Sequence, residues 1–160
     1  MTTTAPSSST APTRAAGIDP RGPQLTAGLT AVVLVVILLV PSPWAAVLTG
    51  VQALLFAIGA TRGVQHTPHA WLFRTVVRPR LAAPDELEDP APPRFAQLVG
   101  LVFAVLGLVG YLSGAEMLGV VATGFALVAA FVNAAVGLCL GCEAYLLIQR
   151  IRTPNTATTT

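Results

Sequence analysis

The sequence contains no lysine and very little charge of either sign. Of its 160 residues only 10% are charged, whereas a soluble domain carries roughly 25%. All nine basic residues are arginine, and the formal net charge is only +2. So small a charge gives no basic surface for nucleic acid. With 54% hydrophobic residues, the chain lacks the polar shell of a soluble fold and is predicted to lie in a lipid bilayer.

Recognisable catalytic motifs are absent as well. The sequence has no glycine-rich phosphate loop, no candidate catalytic triad and no charged residue inside its apolar runs, although transport pathways often carry such charges. No enzymatic reaction can therefore be assigned. Residues 1–17 lack the basic and apolar regions of a signal peptide. Their Thr, Ser, Ala and Pro predict a disordered cytoplasmic tail, and residues 153–160 predict a second disordered tail.

Four apolar runs are long enough to span a membrane. They cover about residues 25–40, 44–60, 95–112 and 117 to at least 136. A spanning helix needs roughly 20 mostly apolar residues, and in lipid a helix satisfies its own backbone polar groups. The fold class predicted is an all-α membrane protein, with four transmembrane helices in one domain over residues 18–152.

The arginines all fall on one side of the predicted membrane. They precede the first helix, lie between the second and third, or follow the fourth: Arg14, Arg21, Arg62, Arg74, Arg78, Arg80, Arg94, Arg150 and Arg152. The two remaining short loops contain none. The positive-inside rule then places both termini in the cytoplasm. The location predicted is the bacterial plasma (inner) membrane.

The chain also resembles itself in its two halves. An Asp-Pro pair begins each half, at Asp19 and at Asp89, and shorter echoes follow. We predict two parallel helical-hairpin repeats, about 18–80 and 89–152, because both would enter the membrane from the same side. By analogy with the first half, the fourth helix should end near Gly137, although a straight, tilted helix is the alternative.

A short cytoplasmic interfacial helix is expected after each hairpin. Residues 71–78 and 145–152 mix apolar and basic side chains, as helices in the membrane interface do. Residues 79–93 are rich in proline and are predicted to form an irregular linker. Its acidic residues are expected either to be solvated or to pair with arginines nearby; they are Asp85, Glu86, Glu88 and Asp89.

The two cysteines form the strongest chemical signal. Cys139 and Cys142 are three residues apart. A disulfide closing so short a loop adds little stability, and such pairs are more often redox-active or metal-binding. If Cys142 begins the last helix, its amide groups would favour a thiolate, while Glu143 would oppose the thiolate or accept a proton. The alternative is that two small cysteines only pack.

A metal site is the second interpretation. His66 and His69 have the same spacing as the cysteines and occupy nearly the same place in the first half. If the two turns meet, His66, His69, Cys139 and Cys142 would form a Cys₂His₂ set that suits zinc. The two thiolates alone would suit cuprous copper. Otherwise the histidines are ordinary residues of an interfacial turn.

Several segments resemble one bacterial family. They are the Asp-Pro-Arg-Gly-Pro start at Asp19, residues 71–79, residues 86–97, and above all Cys-Leu-Gly-Cys-Glu-Ala-Tyr from Cys139. Over about residues 18–152 the chain resembles the integral-membrane family catalogued as domain of unknown function DUF4395. The resemblance implies a small multi-pass protein and proximity to thioredoxin-like or sulfurtransferase-like proteins. It implies no catalytic assignment.

The leading hypothesis is thiol–disulfide or persulfide handling at the cytoplasmic face. Cys139 and Cys142, with Glu143 beside them, would react with a soluble thioredoxin-like or sulfurtransferase-like partner. One alternative is the zinc or copper protein described above. The other is a structural subunit of a membrane complex or homo-oligomer, in which the cysteines only pack.

Overall fold

The structure is a computed structural model and describes residues 17–82, 84 and 87–152. The predicted tails, apart from Gly17, lie outside these residues, as do Asp85 and Glu86. Six α-helices follow one another in the described part of the chain: α1 Arg21–Leu39, α2 Ser42–Arg62, α3 Pro68–Leu72, α4 Ala91–Ser113, α5 Glu116–Val136 and α6 Leu140–Arg152. The all-helical prediction is confirmed.

Four of these helices are long and apolar enough to cross a membrane. They are α1, α2, α4 and α5, with mean hydropathy between 1.6 and 2.2. Their outer faces carry large apolar side chains that no other part of the described chain covers, such as Leu39 (79% exposed) and Leu112 (71% exposed). A lipid environment explains this exposure, since water would make it costly. The protein is a membrane protein.

α1 and α4 begin earlier than the apolar runs predicted. The Asp19 carboxylate accepts the Arg21 amide at 3.0 Å, and the Asp89 carboxylate accepts the Ala91 amide at 2.8 Å. The prolines that follow lie within the first helical turn, where a missing amide hydrogen costs no intrahelical bond. The same local device therefore starts both helices.

The core lies between the four long helices. α1 packs against α5, and α2 packs against α4. Leu34 and Ile37 of α1 are almost completely buried, with Ala45 of α2 beside them. α4 and α5 approach most closely near their connecting loop, where a Cβ on Gly110 would overlap the backbone of Gly119. Small residues thus permit the close packing that replaces the hydrophobic effect in lipid.

The two ends of the bundle differ in charge. At one end the short loops meet, and the Ser42 hydroxyl donates a hydrogen bond to the Glu116 carboxylate. At the other end arginine side chains donate hydrogen bonds to backbone carbonyl groups. Arg94 donates to the Thr61 carbonyl at 2.9 Å, and Arg21 donates to the Ala82 carbonyl at 3.2 Å. We call this second end the arginine end.

The segments that lead into the two halves pair with each other. Ile18 and Glu88 exchange both backbone hydrogen bonds, each 2.9 Å long, in an isolated antiparallel bridge. Both residues immediately precede the aspartates that start α1 and α4. The predicted irregular linker 79–93 is therefore partly ordered, because it ends in this bridge and in the first turn of α4.

The chain after α2 is helical but not one regular helix. A 3₁₀ turn, Val64–His66, leads into α3, which continues as a π-helical turn, Phe73–Val77, and a 3₁₀ turn, Arg78–Arg80. A helix was predicted over residues 71–78, and the described backbone there is helical. Phe73 is buried and its ring lies beside Gly22, so the segment packs against the start of α1.

Candidate functional site

The break between α5 and α6 lies where the sequence predicts it. α5 ends at Val136, and Gly137 has φ 72°, a left-handed conformation that glycine adopts without strain. The Gly137 amide donates to the Asn133 carbonyl at 3.0 Å. The Gln24 side chain of α1 donates a second hydrogen bond, 3.2 Å long, to the Ala134 carbonyl, which lies about one turn before Gly137. These bonds hold the end of α5 in place and direct the chain into α6.

Cys139 and Cys142 are joined in a disulfide at the beginning of α6. Their Cα atoms are 5.1 Å apart. Cys139 immediately precedes the helix, and its sulfur accepts the backbone amide of Cys142 at 3.2 Å. The helix therefore begins at Leu140, not at Cys142 as the sequence argument supposed. Cys139 occupies the capping position, where unpaired amide groups favour negative charge on the sulfur of the reduced pair.

α6 is held against the beginning of α4. A Cβ on Gly141 would lie only 2.7 Å from the Cα and Cβ of Ala96, so this position has room for glycine alone. One turn further along, the rings of Tyr145 and Phe95 are 5.7 Å apart. This packing fixes the first turn of α6, and with it the disulfide, on the arginine end of the bundle.

The two cysteines lie near the surface of the described structure. Both are partly exposed, and Glu143 is exposed directly beside them. The last turn of the helix carries Arg150 and Arg152, also exposed. Charged side chains of both signs therefore accompany the disulfide on α6.

A cavity of about 100 Å³ begins at Cys139 and runs into the bundle. We call it the disulfide cavity. Its walls come from α1, α4, α5 and the start of α6, and they include Thr30, Gln97, Phe103, Ala129, Asn133 and Cys139. Most of the wall is apolar, with the polar side chains spaced along it. The disulfide thus borders both the protein surface and an internal space within the membrane-spanning part.

The histidines lie in the corresponding turn of the first half but not at the corresponding position. The Thr67 hydroxyl caps α3 by accepting the Ala70 amide at 3.3 Å, as the Cys139 sulfur caps α6. By cap position Cys139 therefore corresponds to Thr67, which lies between His66 and His69. His66 is exposed, whereas partial burial lowers the pKa of His69 below its usual value.

In the described part of the chain, no three His, Cys, Asp or Glu residues are grouped as metal ligands. The two cysteine sulfurs are bonded to each other, and neither histidine borders the disulfide cavity. Zinc or copper binding by His66, His69, Cys139 and Cys142 remains a sequence-based prediction. Metal analysis of the reduced protein tests it.

Sequence reasoning missed three parts of the site: the disulfide cavity, the contact of Gly141 with Ala96, and the hydrogen bond of Gln24. Within the described residues the side chains of Gln52, Gln97 and Asn133 make no hydrogen bond between helices, whereas Gln24 makes one. The glycine of the Cys-Leu-Gly-Cys sequence was the one available signal of a close helix contact.

Comparison with known proteins identifies a family and nothing narrower. No curated protein and no solved structure matches the chain. A family model described as domain of unknown function (DUF4395) matches residues 18–150, which include all four long helices and most of α6. The chain therefore belongs to the DUF4395 family.

Proposed function

We propose that this protein carries out thiol–disulfide exchange, or persulfide transfer, through Cys139 and Cys142. The observation that carries the proposal is the Cys139 sulfur, which caps α6 and accepts the Cys142 amide at 3.2 Å. A disulfide that only stabilised the fold would gain little from so short a loop. A partly exposed pair at a helix N-terminus is instead the arrangement that makes thiols reactive.

The two cysteines have different roles in this proposal. Reduced Cys139 is the attacking thiolate, because the Cys142 amide and the start of α6 stabilise its charge. Cys142 then attacks the resulting mixed disulfide, re-forms the Cys139–Cys142 bond and releases the partner thiol. Glu143 is exposed next to the pair and is proposed to accept the proton that leaves Cys142.

The proposed partner is a soluble thioredoxin-like or sulfurtransferase-like protein. The exposed arginines around the site, among them Arg150 and Arg152, favour a partner with an acidic surface. The positive-inside rule places the arginine end in the cytoplasm of a bacterial cell, in the plasma membrane. The partner would then be cytoplasmic.

We also propose that the two halves are parallel repeats. Ile18 and Glu88 hold the same position relative to Asp19 and Asp89, and they bond reciprocally. Two equivalent residues that contact each other in this way lie on a two-fold axis. That axis would run along the membrane normal, with α3 and α6 as the interfacial helices of the two halves.

Single-cysteine variants test the function. Cys142→Ser leaves the attacking thiol without its resolving partner, so it should accumulate a mixed disulfide with a soluble protein in cells. Cys139→Ser should accumulate much less of this mixed disulfide, because the remaining Cys142 thiol does not occupy the capping position at the start of α6. The measurement is non-reducing electrophoresis after rapid alkylation, followed by mass spectrometry of the captured protein.

The double Cys-to-Ser variant is the control and should capture nothing. Equal capture by the double variant and by Cys142→Ser would remove the thiol function. A partner that co-purifies equally with the wild type and the double variant would instead support a structural subunit.

A further inference from the structure

The disulfide cavity extends to a depth that exchange with a soluble protein does not require. It reaches from Cys139 at the arginine end to Thr30 and Phe103. Thr30 lies roughly 13 Å beyond Arg21 along α1, at about 1.5 Å of rise per residue. In a hydrocarbon core roughly 30 Å thick, this depth falls within the half of the bilayer nearer the arginine end. Molecules that occupy the cavity can therefore come from the lipid.

Unpaired polar side chains border the cavity. Thr30 is only 3% exposed and borders the cavity, and its hydroxyl has no hydrogen-bond partner in residues 17–82, 84 and 87–152. The side-chain amides of Gln97 and Asn133 also border it without a partner among the same residues. Because Thr30 is buried and buried polar groups normally find partners, we expect a ligand that accepts a hydrogen bond from its hydroxyl, with the partly exposed amides of Gln97 and Asn133 as further donors.

The walls leave space for a flat ring. Near their connecting loop α4 and α5 touch, with Gly110 over Gly119. Further from the loop the cavity lies between Phe103 on α4 and Ala129 on α5. Its volume of about 100 Å³ is smaller than the apolar cavity of roughly 150 Å³ that holds benzene, so the cavity would enclose only part of a substituted ring and the rest would lie in the opening. Ala129 is partly exposed, so a hydrocarbon tail can leave toward the lipid on this side.

We propose that the disulfide cavity binds the ring of a membrane quinone that oxidises the Cys139–Cys142 dithiol. The proposal rests on the thiol–disulfide exchange proposed above, taken in the direction in which a dithiol of the soluble partner reduces the Cys139–Cys142 disulfide, and it adds the electron acceptor that re-forms this disulfide. Both S–H bonds break and the S–S bond forms, so the pair loses two electrons and two protons. The quinone takes up these two electrons and two protons, and its two carbonyl groups become the hydroxyl groups of the quinol. Thr30, Gln97 and Asn133 hold the carbonyl oxygens.

The test measures quinone reduction by the full-length protein in phospholipid nanodiscs. The protein is reduced, freed of reductant and mixed without oxygen with a ring-substituted benzoquinone or naphthoquinone that has a short alkyl tail. Ring substitution prevents direct addition of thiols. Quinol formation is followed by absorbance and the disulfide by loss of alkylatable thiol. We expect about one quinol per disulfide formed, faster than with a small dithiol in place of the protein.

Matched variants locate the reaction. Ala129→Phe fills part of the cavity, and its rate should fall by about tenfold or more, because the added ring occupies the space proposed for the quinone. Ala135→Phe is the control, because Ala135 is exposed on the same helix and does not border the cavity. Its rate should stay within about twofold of wild type. Thr30→Val conserves volume and should raise the quinone concentration for half-maximal rate several-fold by removing one hydrogen bond.

Absence of quinol with both quinones, or equal rates for Ala129→Phe and Ala135→Phe, would overturn the proposal. If Ala129→Phe does not fold, Thr30→Val tests the proposal instead. The proposal is then overturned if the quinone concentration for half-maximal rate is the same as in the wild type. Mixed disulfides captured by Cys142→Ser would in those cases leave the proposed thiol exchange standing. Failure of both experiments would remove both proposals together.

Discussion

At the scale of residues, the Cys139 sulfur does what the Thr67 hydroxyl does in the first half of the chain. Each side chain precedes a helix and accepts the amide three residues later, at 3.2 Å and 3.3 Å respectively. A capping hydroxyl accepts a hydrogen bond from one otherwise unpaired amide and stabilises the helix start, without becoming a nucleophile. A capping thiolate would satisfy the same amide and be stabilised by it, so the same local geometry caps a helix in one half and, in the proposed function, also activates a thiol in the other.

The cap predicts unequal reactivity of the two thiols. In Cys142→Ser the remaining Cys139 should be alkylated faster near neutral pH than the remaining Cys142 in Cys139→Ser. A hydrogen bond of roughly 1 kcal/mol to the thiolate corresponds to about a fivefold difference. The measurement is the alkylation rate as a function of pH. The difference should vanish in unfolded protein, and equal rates in the folded protein would contradict the cap.

At the scale of elements, glycine decides how closely the helices approach. Gly110 and Gly119 bring α4 and α5 into backbone contact, and Gly141 brings α6 against Ala96. Gly124 on α5 is different, because a Cβ there would meet nothing within 4 Å. In lipid these contacts supply packing energy that burial from water does not, so the effect of a methyl group depends on its position.

Two alanine substitutions separate these positions. Gly110→Ala should destabilise the protein by about 1–3 kcal/mol, because the methyl group overlaps the Gly119 backbone. Gly124→Ala is the matched control and should be neutral or stabilising by up to about 1 kcal/mol, since it removes backbone freedom without a clash. Unfolding midpoints in detergent measure both effects. A Gly110→Ala midpoint equal to that of Gly124→Ala would show that α4 and α5 do not touch there.

At the scale of the whole molecule, arginine distribution separates the two ends. Within the described residues the short-loop end has the Ser42–Glu116 hydrogen bond and no arginine. The opposite end carries the guanidinium group of Arg94 at the end of α2 and that of Arg21 on the Ala82 carbonyl of the linker, together with the disulfide. The membrane orientation therefore decides whether the sulfur chemistry meets the cytoplasm.

Thiol labelling in intact cells tests the orientation. Cys139 and Cys142 should react with a membrane-permeant alkylating reagent only, and only after reduction, because the pair forms a disulfide and the positive-inside rule predicts it on the inner side. The control is Ser113→Cys in the double Cys-to-Ser background, since Ser113 is exposed at the opposite end. An impermeant reagent should label it. Impermeant labelling of the native cysteines would reverse the topology.

The sequence by itself determined the class of the protein and the order of its elements. Apolar runs of membrane-spanning length require helices, because lipid offers no partner for backbone polar groups. Gly137 indicated the end of α5, because glycine readily adopts the left-handed conformation that ends a helix. Local sequence also located the cysteine pair near this break. These features depend on composition and on neighbouring residues, so they could be derived without coordinates.

Only the tertiary structure decided which cysteine caps α6 and what lies beside it. The disulfide cavity brings together Thr30, Gln97 and Asn133 from three helices with Cys139, which precedes α6. Their proximity depends on helix rotation and crossing, which the apolar pattern leaves open because every outer face is equally soluble in lipid. The choice of Cys139 over Cys142 depends on one sulfur–amide contact at 3.2 Å. Its physical cause is the docking of Gly141 on Ala96, a contact between distant parts of the chain.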